Sequence, residues 1–142
     1  MPLMIWYNSY SIGNEEIDNH HRTLFRLFNL THEYCSKKQE AYTCQMCIKD
    51  LISYAEYHFS AEEHLMRVAE YKDMEKHIIE HNHFRERVLD LSCKVENSDI
   101  YVHEELLIFL GNWLINHVVV EDKKLSILTI NPKGENPNGK CT

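Results

Sequence analysis

The stretch that decides the fold runs from residue 58 to residue 66 and reads HFSAEEHLM. His58 and Glu62 are four residues apart in it, which on an α-helix places both side chains on one face, one turn apart. The other members of that face are apolar: Ile48, Leu51, Ile52, Ala55, Phe59, Leu65 and Met66. An unpaired carboxylate in such a stripe would destabilise the fold by roughly several kcal/mol. We therefore interpret His58 and Glu62 as candidate metal ligands inside a helical core.

Two other helical stretches carry the same type of residue. In HIIEH, residues 77–81, His77 and His81 lie four residues apart on the apolar face of a third helix. Near the N-terminus either His20 or His21 fits the apolar face of a first helix, and periodicity alone does not choose between them. Three titratable residues beside these motifs fall off the apolar stripes and are expected at the surface: Glu63, His64 and His83.

The last stretch, WLINHVVVED, carries His117 and a carboxylate whose identity the spacing leaves open. Asp122 lies five residues after His117, which on a regular helix rotates it about 140° away. Glu121 has the better spacing for an ideal helix. Asp122 reaches the face of His117 only if the helix end bends or contains a π-type turn, a feature that often occurs at functional sites.

The spacing of apolar residues predicts an all-α protein, an up-down-up-down antiparallel four-helix bundle preceded by an N-terminal arm. The four helices are expected at about Asp18 to Lys38, Ala41 to Val68, Lys72 to Val95 and Ile100 to Val120. Residues 1–130 form the bundle in this interpretation. Residues 131–142, NPKGENPNGKCT, contain two Asn-Pro steps and no core residue, so we expect a flexible C-terminal tail or linker.

Charge and hydropathy exclude two classes of partner. The net charge of −7 leaves no basic face for nucleic acid. The most apolar stretch, Leu106 to Val120, is interrupted by Asn112, Asn116 and His117, which argues against a membrane span. The N-terminus MPLMIWYN has no basic region followed by a long apolar one, so no secretory signal is expected. We expect a cytoplasmic protein.

The five cysteines favour reduced thiols over a disulfide framework, because the number is odd and the core is large. Cys44 and Cys47 form a CxxC motif without a second such pair. We interpret them as inert or partly exposed helix cysteines rather than as a redox or zinc motif.

The motifs together resemble the hemerythrin family, over the stretch from Trp6 to about Asp122. The resemblance rests on Ile17-Asp18-Asn19-His20-His21, then HFSAEEHLM, then His77 through Phe84, then WLINH followed by Asp122. It implies seven metal ligands: His21, His58, Glu62, His77, His81, His117 and Asp122. Two departures from the family are His20, where Gln is common, and Lys72, where Pro is common.

Imidazole and carboxylate ligands without thiolate suit iron, manganese or zinc, and seven are too many for one ion and too few to saturate two six-coordinate ions. The resemblance implies two irons bridged by Glu62, Asp122 and a hydroxide or oxide. One iron would have the ligands His77, His81 and His117; the other, held by His21 and His58, would keep an open position. Dioxygen would bind there end-on as hydroperoxide, in a pocket lined by Leu114 and Trp113.

The function that the resemblance implies is reversible dioxygen binding for storage, delivery or sensing. The ligand set is rich in histidine and poor in carboxylate, unlike the four-carboxylate sites of oxygen-activating di-iron bundles. This favours a binding protein over an enzyme. The alternatives are a di-iron oxidase, peroxidase or nitric oxide-handling enzyme on the same scaffold, and an interaction module whose tail joins an unknown protein partner.

Overall fold

The computed structural model describes residues 4–37, 41–96 and 100–130, and all regular structure within these ranges is helical. The helices are α1 (Glu15–Cys35), α2 (Ala41–Val68), α3 (Met74–Glu96), α4 (Ile100–Asn116) and the short α5 (Ser126–Ile130). Helix α1 packs against α2 and α4, and α3 packs against the same two helices. The predicted all-α four-helix bundle is confirmed. The predicted tail, residues 131–142, lies outside the described residues.

Local capping signals explain where the helices begin and end. Helix α1 begins earlier than predicted because the Asn14 side chain caps it, accepting a hydrogen bond from the Ile17 backbone N–H at 3.0 Å. Helix α2 has the predicted bounds. It ends at a turn in which Glu70 adopts a left-handed φ of 54° and the Tyr71 N–H donates to the Met66 carbonyl at 2.9 Å.

The predicted N-terminal arm lies against α1 and is fixed there by side-chain hydrogen bonds. The buried Asp18 carboxylate accepts from the Ser11 hydroxyl at 2.5 Å and from the Ile12 backbone N–H at 2.9 Å. Asn29 exchanges two hydrogen bonds of 2.9 Å with the backbone of Met4. The arm is therefore part of the folded bundle.

Two hydrophobic clusters lie on either side of the predicted ligand positions. The larger one includes Leu24, Phe25, Phe28, Leu51, Phe59, Phe84, Leu110, Leu114 and Val118. The smaller one consists of Ile12, Ile17, Met66, Leu125 and Leu128. Along α1, for example, Ile17 belongs to the smaller cluster, His21 follows, and Leu24 begins the larger one. None of the helices in the described ranges combines the length and the apolar character that a membrane span needs.

The expectation of reduced cysteines is wrong for one pair. Cys35, at the end of α1, and Cys44, in the first turn of α2, form a disulfide with a Cα–Cα distance of 4.6 Å. The two residues are nine positions apart, and the end of α1 lies beside the beginning of α2 where the disulfide joins them. Cys44 therefore does not act with Cys47, which keeps a half-buried free thiol. A disulfide is unusual in a reducing cytoplasm, so this feature does not support the cytoplasmic expectation.

We predict that Cys35→Ser lowers the free energy of unfolding by about 2–3 kcal/mol, because a cross-link over roughly ten residues restricts the unfolded chain by that amount. Urea unfolding in the absence of reductant measures the change. Dithiothreitol should destabilise the wild-type protein equally and leave the variant unchanged. Cys47→Ser is the matched control, and a similar loss in that variant would contradict the assignment.

Candidate metal centre

The structure brings together all seven residues that the sequence analysis selected. None of them is more than 4% exposed: His21, His58, Glu62, His77, His81, His117 and Asp122. They form two overlapping groups, in each of which the potential ligand atoms lie within 4.8 Å of one another. One group contains a three-histidine set (His77, His81 and His117), the other a two-histidine set (His21 and His58). Both groups share Glu62 and Asp122.

Each carboxylate has one oxygen near each set. Asp122 Oδ1 lies 2.9 Å from Nε2 of both His77 and His117, whereas Oδ2 lies 2.8 Å from His21 Nε2 and 3.2 Å from His58 Nε2. Glu62 divides its oxygens in the same way. Its Oε1 lies 3.1 Å from His81 Nε2 and 3.3 Å from His117 Nε2, and its Oε2 lies 3.2 Å from His58 Nε2. Both histidine sets therefore share both carboxylates, which fits a cation-binding cluster.

A π-helical segment brings Asp122 onto the same face as His117, where a regular α-helix would not place it. Residues His117–Glu121 form a π-helix directly after α4, and a short 3-10 segment, Asp122–Leu125, follows. The wider π turn places residues five apart on one face, so His117 and Asp122 point to the same centre. Glu121, which suits a regular α-helix better, is only half-buried and bonds to Lys124 instead. The conditional prediction of a π-type turn is confirmed.

The unsatisfied buried atoms of the cluster fit a cation. Glu62 Oε2 and Asp122 Oδ1 have no hydrogen-bond partner among the described residues, although imidazole nitrogens lie 2.9–3.2 Å away. The nitrogens are close enough but not aligned for hydrogen bonds with these oxygens. Buried carboxylate oxygens without aligned donors are costly in a protein alone and are normal around a metal ion.

Side chains outside the cluster orient its histidines, and one of them occupies a position that helix periodicity assigns to solvent. Glu63, expected in solvent, is 19% exposed and accepts a hydrogen bond from His81 Nδ1 at 2.7 Å. Arg85 holds Glu63 at 3.4 Å and Glu56 at 2.7 Å. With its proton on Nδ1, His81 directs the Nε2 lone pair into the cluster, as metal-binding histidines do. His64 and His83 are exposed as predicted.

His20 is buried beside the cluster but does not join it. Its Nδ1 lies 3.2 Å from Nδ1 of His58, on the side of that ring away from the carboxylates. His21 is the residue of this pair that points into the cluster. Burial, followed by the positive potential of His58, lowers the pKa of His20, which keeps its imidazole neutral.

Aromatic rings fix two of the imidazoles in the three-histidine set. Phe59 stacks on His81 with ring centroids 4.1 Å apart, and Trp113 stacks on His117 at 4.3 Å. Trp113 is half-buried, and Leu114 is fully buried in the larger hydrophobic cluster. Trp113 and Leu114 are the two residues predicted to line a dioxygen pocket. Trp113 thus packs against the three-histidine set, and Leu114 packs within the larger hydrophobic cluster.

Opposite charges inside the cluster shift pKa values in both directions. Burial by itself would lower the pKa of His77, but the nearby carboxylates of Asp122 and Glu62, at 2.9 Å and 3.4 Å, raise it to about 10. The same carboxylates overcome burial and raise the pKa values of His21 and His117 to about 9. Burial would raise the pKa of both carboxyls, yet the imidazoles hold both well below their usual range. The carboxylates are therefore ionised and able to bind cations.

Comparison with known proteins agrees with this chemistry. The family model described as "Hemerythrin HHE cation binding domain" matches residues 12–126. A protein named "Bacteriohemerythrin" from Clostridium acetobutylicum is 31% identical over 129 residues, which cover 86% of this chain and 98% of that relative. Another "Bacteriohemerythrin", from Pseudomonas paraeruginosa, is 30% identical over 122 residues, 86% of this chain and 78% of the relative. A "Hemerythrin-like protein" of Naegleria gruberi is 29% identical over 119 residues, 84% and 87% of the two chains.

We predict that Glu62→Gln abolishes high-affinity metal binding, because a neutral amide binds a cation more weakly than a carboxylate does and does not balance its charge. The helical fold should persist, since the change also removes a buried charge. Elemental analysis after desalting measures the metal, and circular dichroism monitors the helices. Glu86→Gln, at an exposed position of α3, is the matched control. Full metal content in Glu62→Gln would show that the carboxylate is not a ligand.

We predict that the chelator-treated protein is most stable between about pH 4.5 and pH 6.5 and loses stability toward pH 10. The raised pKa values of His21, His77 and His117 stabilise the fold fully below 6.5, and this contribution is lost as pH rises through about 9–10. The lowered carboxyl pKa values stabilise the fold above about 4.5, and this contribution is lost as pH falls.

Urea midpoints of the chelator-treated protein at about pH 6 and pH 9.5 measure this dependence. Glu62→Gln should show a smaller decrease, because one of the two carboxylates that pair with the imidazoles is gone. Equal midpoints of the wild-type protein at both pH values would contradict the imidazole–carboxylate pairing.

Proposed function

This chain belongs to the hemerythrin family, and on that basis we propose that it holds two iron ions in the buried cluster and binds dioxygen reversibly. In this proposal the ligands are the seven residues that converge: His21, His58, Glu62, His77, His81, His117 and Asp122. The observation that carries it is the division of the carboxylate oxygens, one from each carboxylate toward each histidine set. A site for two ions would use both oxygens of both groups in this way.

The charge of the cluster supports a pair of divalent ions. Both carboxylates are ionised and fully buried, and the imidazoles bind metal as neutral groups. Two ferrous ions with two carboxylates and one bridging hydroxide have a net charge of +1. A single divalent ion would contact only one of the two histidine sets and would leave the other set without a metal ion to bind. Iron is favoured over manganese because imidazole outnumbers carboxylate by five to two.

The unequal histidine sets support binding of a small molecule on one side. The three-histidine set and the two carboxylates would hold one ion, whereas the two-histidine set, with one ligand fewer, would leave the second ion able to accept a small molecule at one position. A ferrous pair in the cluster would supply the electrons for reversible dioxygen binding at that position. The protein contributes an apolar, water-poor surrounding through clusters that include Phe25, Leu114 and Ile17. Leu114, one turn before His117 and fully buried, is the proposed pocket residue.

The described surroundings favour carriage over catalysis. Two titratable groups next to the proposed ligands contact the outer ring nitrogens of those ligands. Glu63 accepts a hydrogen bond from His81, and His20 contacts His58. Neither side chain is therefore free to act as a general acid or base toward a molecule bound in the cluster. We propose a cytoplasmic location, although the disulfide of Cys35 and Cys44 does not favour it.

We predict that the iron-loaded protein shows a visible charge-transfer band in air that disappears on deoxygenation and returns on re-exposure. Iron analysis of the same sample should give about two irons per chain, as the seven-ligand count requires. Glu62→Gln serves as the control without metal. Rapid irreversible oxidation with turnover of peroxide or nitric oxide would overturn reversible carriage in favour of an enzyme.

A further inference from the structure

The contact between His20 and His58 requires one of two facing nitrogens to carry a proton. The two Nδ1 atoms lie 3.2 Å apart, and both side chains are buried. Two lone pairs at this distance would repel each other, so one ring donates a hydrogen bond to the other. The structure therefore couples the tautomer of the one histidine to the tautomer of the other.

The direction of this hydrogen bond follows from the other nitrogen of His58. Its Nε2 lies 3.2 Å from both Glu62 Oε2 and Asp122 Oδ2, inside the cluster. A neutral imidazole that binds a cation through Nε2 carries its proton on Nδ1. His58 therefore donates from Nδ1, and His20 accepts on its Nδ1 lone pair. The remaining proton of His20 is then on Nε2, which faces the exposed Glu16 carboxylate at 4.0 Å.

The equivalent contact in the three-histidine set uses a different acceptor. There the His81 Nδ1–H donates to Glu63, a carboxylate that Arg85 holds in place. An ionised acceptor forms a stronger hydrogen bond than a neutral one and makes the imidazole a better electron donor to a metal. The two histidine sets thus differ in their outer contacts as well as in their number of ligands.

We propose that His20 is a positioning residue that fixes the Nδ1–H tautomer and the orientation of His58, and so determines how firmly the two-histidine set retains its ion. This inference rests on the proposed di-iron function. His20 contacts no ion in it; it acts only through His58. The rings of Tyr54 and Tyr57, with centroids 5.8 Å and 5.0 Å from that of His20, hold the acceptor in place.

Retention of iron in three variants tests the proposal. His20→Leu removes the acceptor, His20→Gln keeps an acceptor in its amide oxygen, and His64→Gln at an exposed position of α2 is the matched control. Each protein is loaded anaerobically with Fe(II) and titrated with a competing chelator. We expect His20→Leu to bind one of its two irons roughly 10–100-fold more weakly, as removal of an outer partner does at other metal sites. The other iron should be unaffected.

His20→Gln should restore the affinity to near that of the wild-type protein, which simple loss of packing at this position would not explain. Equal retention of both irons in His20→Leu and the wild-type protein would overturn the proposal. Failure of the wild-type protein itself to bind two irons would instead overturn the proposed function.

A spectroscopic measurement on the wild-type protein keeps the proposal testable if His20→Leu does not fold. In zinc-loaded protein labelled with 15N-histidine, His58 should show a proton on Nδ1 and His20 a proton on Nε2. A proton on Nδ1 of His20 would mean that this residue donates rather than accepts, and it would refute the inferred role.

Discussion

The bundle is organised around two buried carboxylates that five imidazoles surround. Glu62 and Asp122 are fully buried, and neither has an oppositely charged lysine or arginine among its described contacts. Burying two like charges close together is unfavourable unless positive charge compensates for them. Protonated imidazoles provide this charge when metal is removed, and cations provide it in the proposed functional state. Helices α1, α2 and α3 and the π-helical and 3-10 segments after α4 each contribute at least one side chain to this balance, so the arrangement of the helices and the charge of the site are coupled.

The π-helical segment, His117–Glu121, shows how the backbone serves that balance. A regular helix would direct Glu121 to the cluster and turn Asp122 away. The shorter aspartate side chain, brought onto the face of His117 by the wider turn, places its two oxygens within 2.8–3.2 Å of four imidazole nitrogens. The irregular segment then passes through the 3-10 turn of Asp122–Leu125, and Leu125 is buried in the smaller hydrophobic cluster. Packing on both sides thus stabilises a backbone conformation that would be unfavourable in isolation.

The apolar periodicity of the sequence predicts the bundle and the bounds of α2. It also predicts six of the seven cluster residues, except that it does not choose between His20 and His21. Asp122 required either a known family pattern or knowledge of the π turn. Two features were beyond a helix-by-helix interpretation. Glu63 lies about 100° from the stripe of α2 and would be a surface residue on that helix alone. Helix α3 packs there and supplies His81 and Arg85. The Cys35–Cys44 disulfide depends on the ends of two helices meeting, which cysteine counting does not detect.

These two failures have the same physical origin, since both concern contacts between neighbouring helices at positions that periodicity assigns to solvent. For this reason, the residues that contact the outer nitrogens of the cluster histidines differ between the two histidine sets. Where α3 faces α2, an arginine holds a carboxylate acceptor against His81. Where α1 faces α2, the acceptor against His58 is the neutral ring of His20. The two unequal histidine sets thus also differ in their outer contacts. An ion held by fewer ligands and a weaker outer acceptor has more freedom to accept an additional ligand, which is the property that a reversible binding position needs.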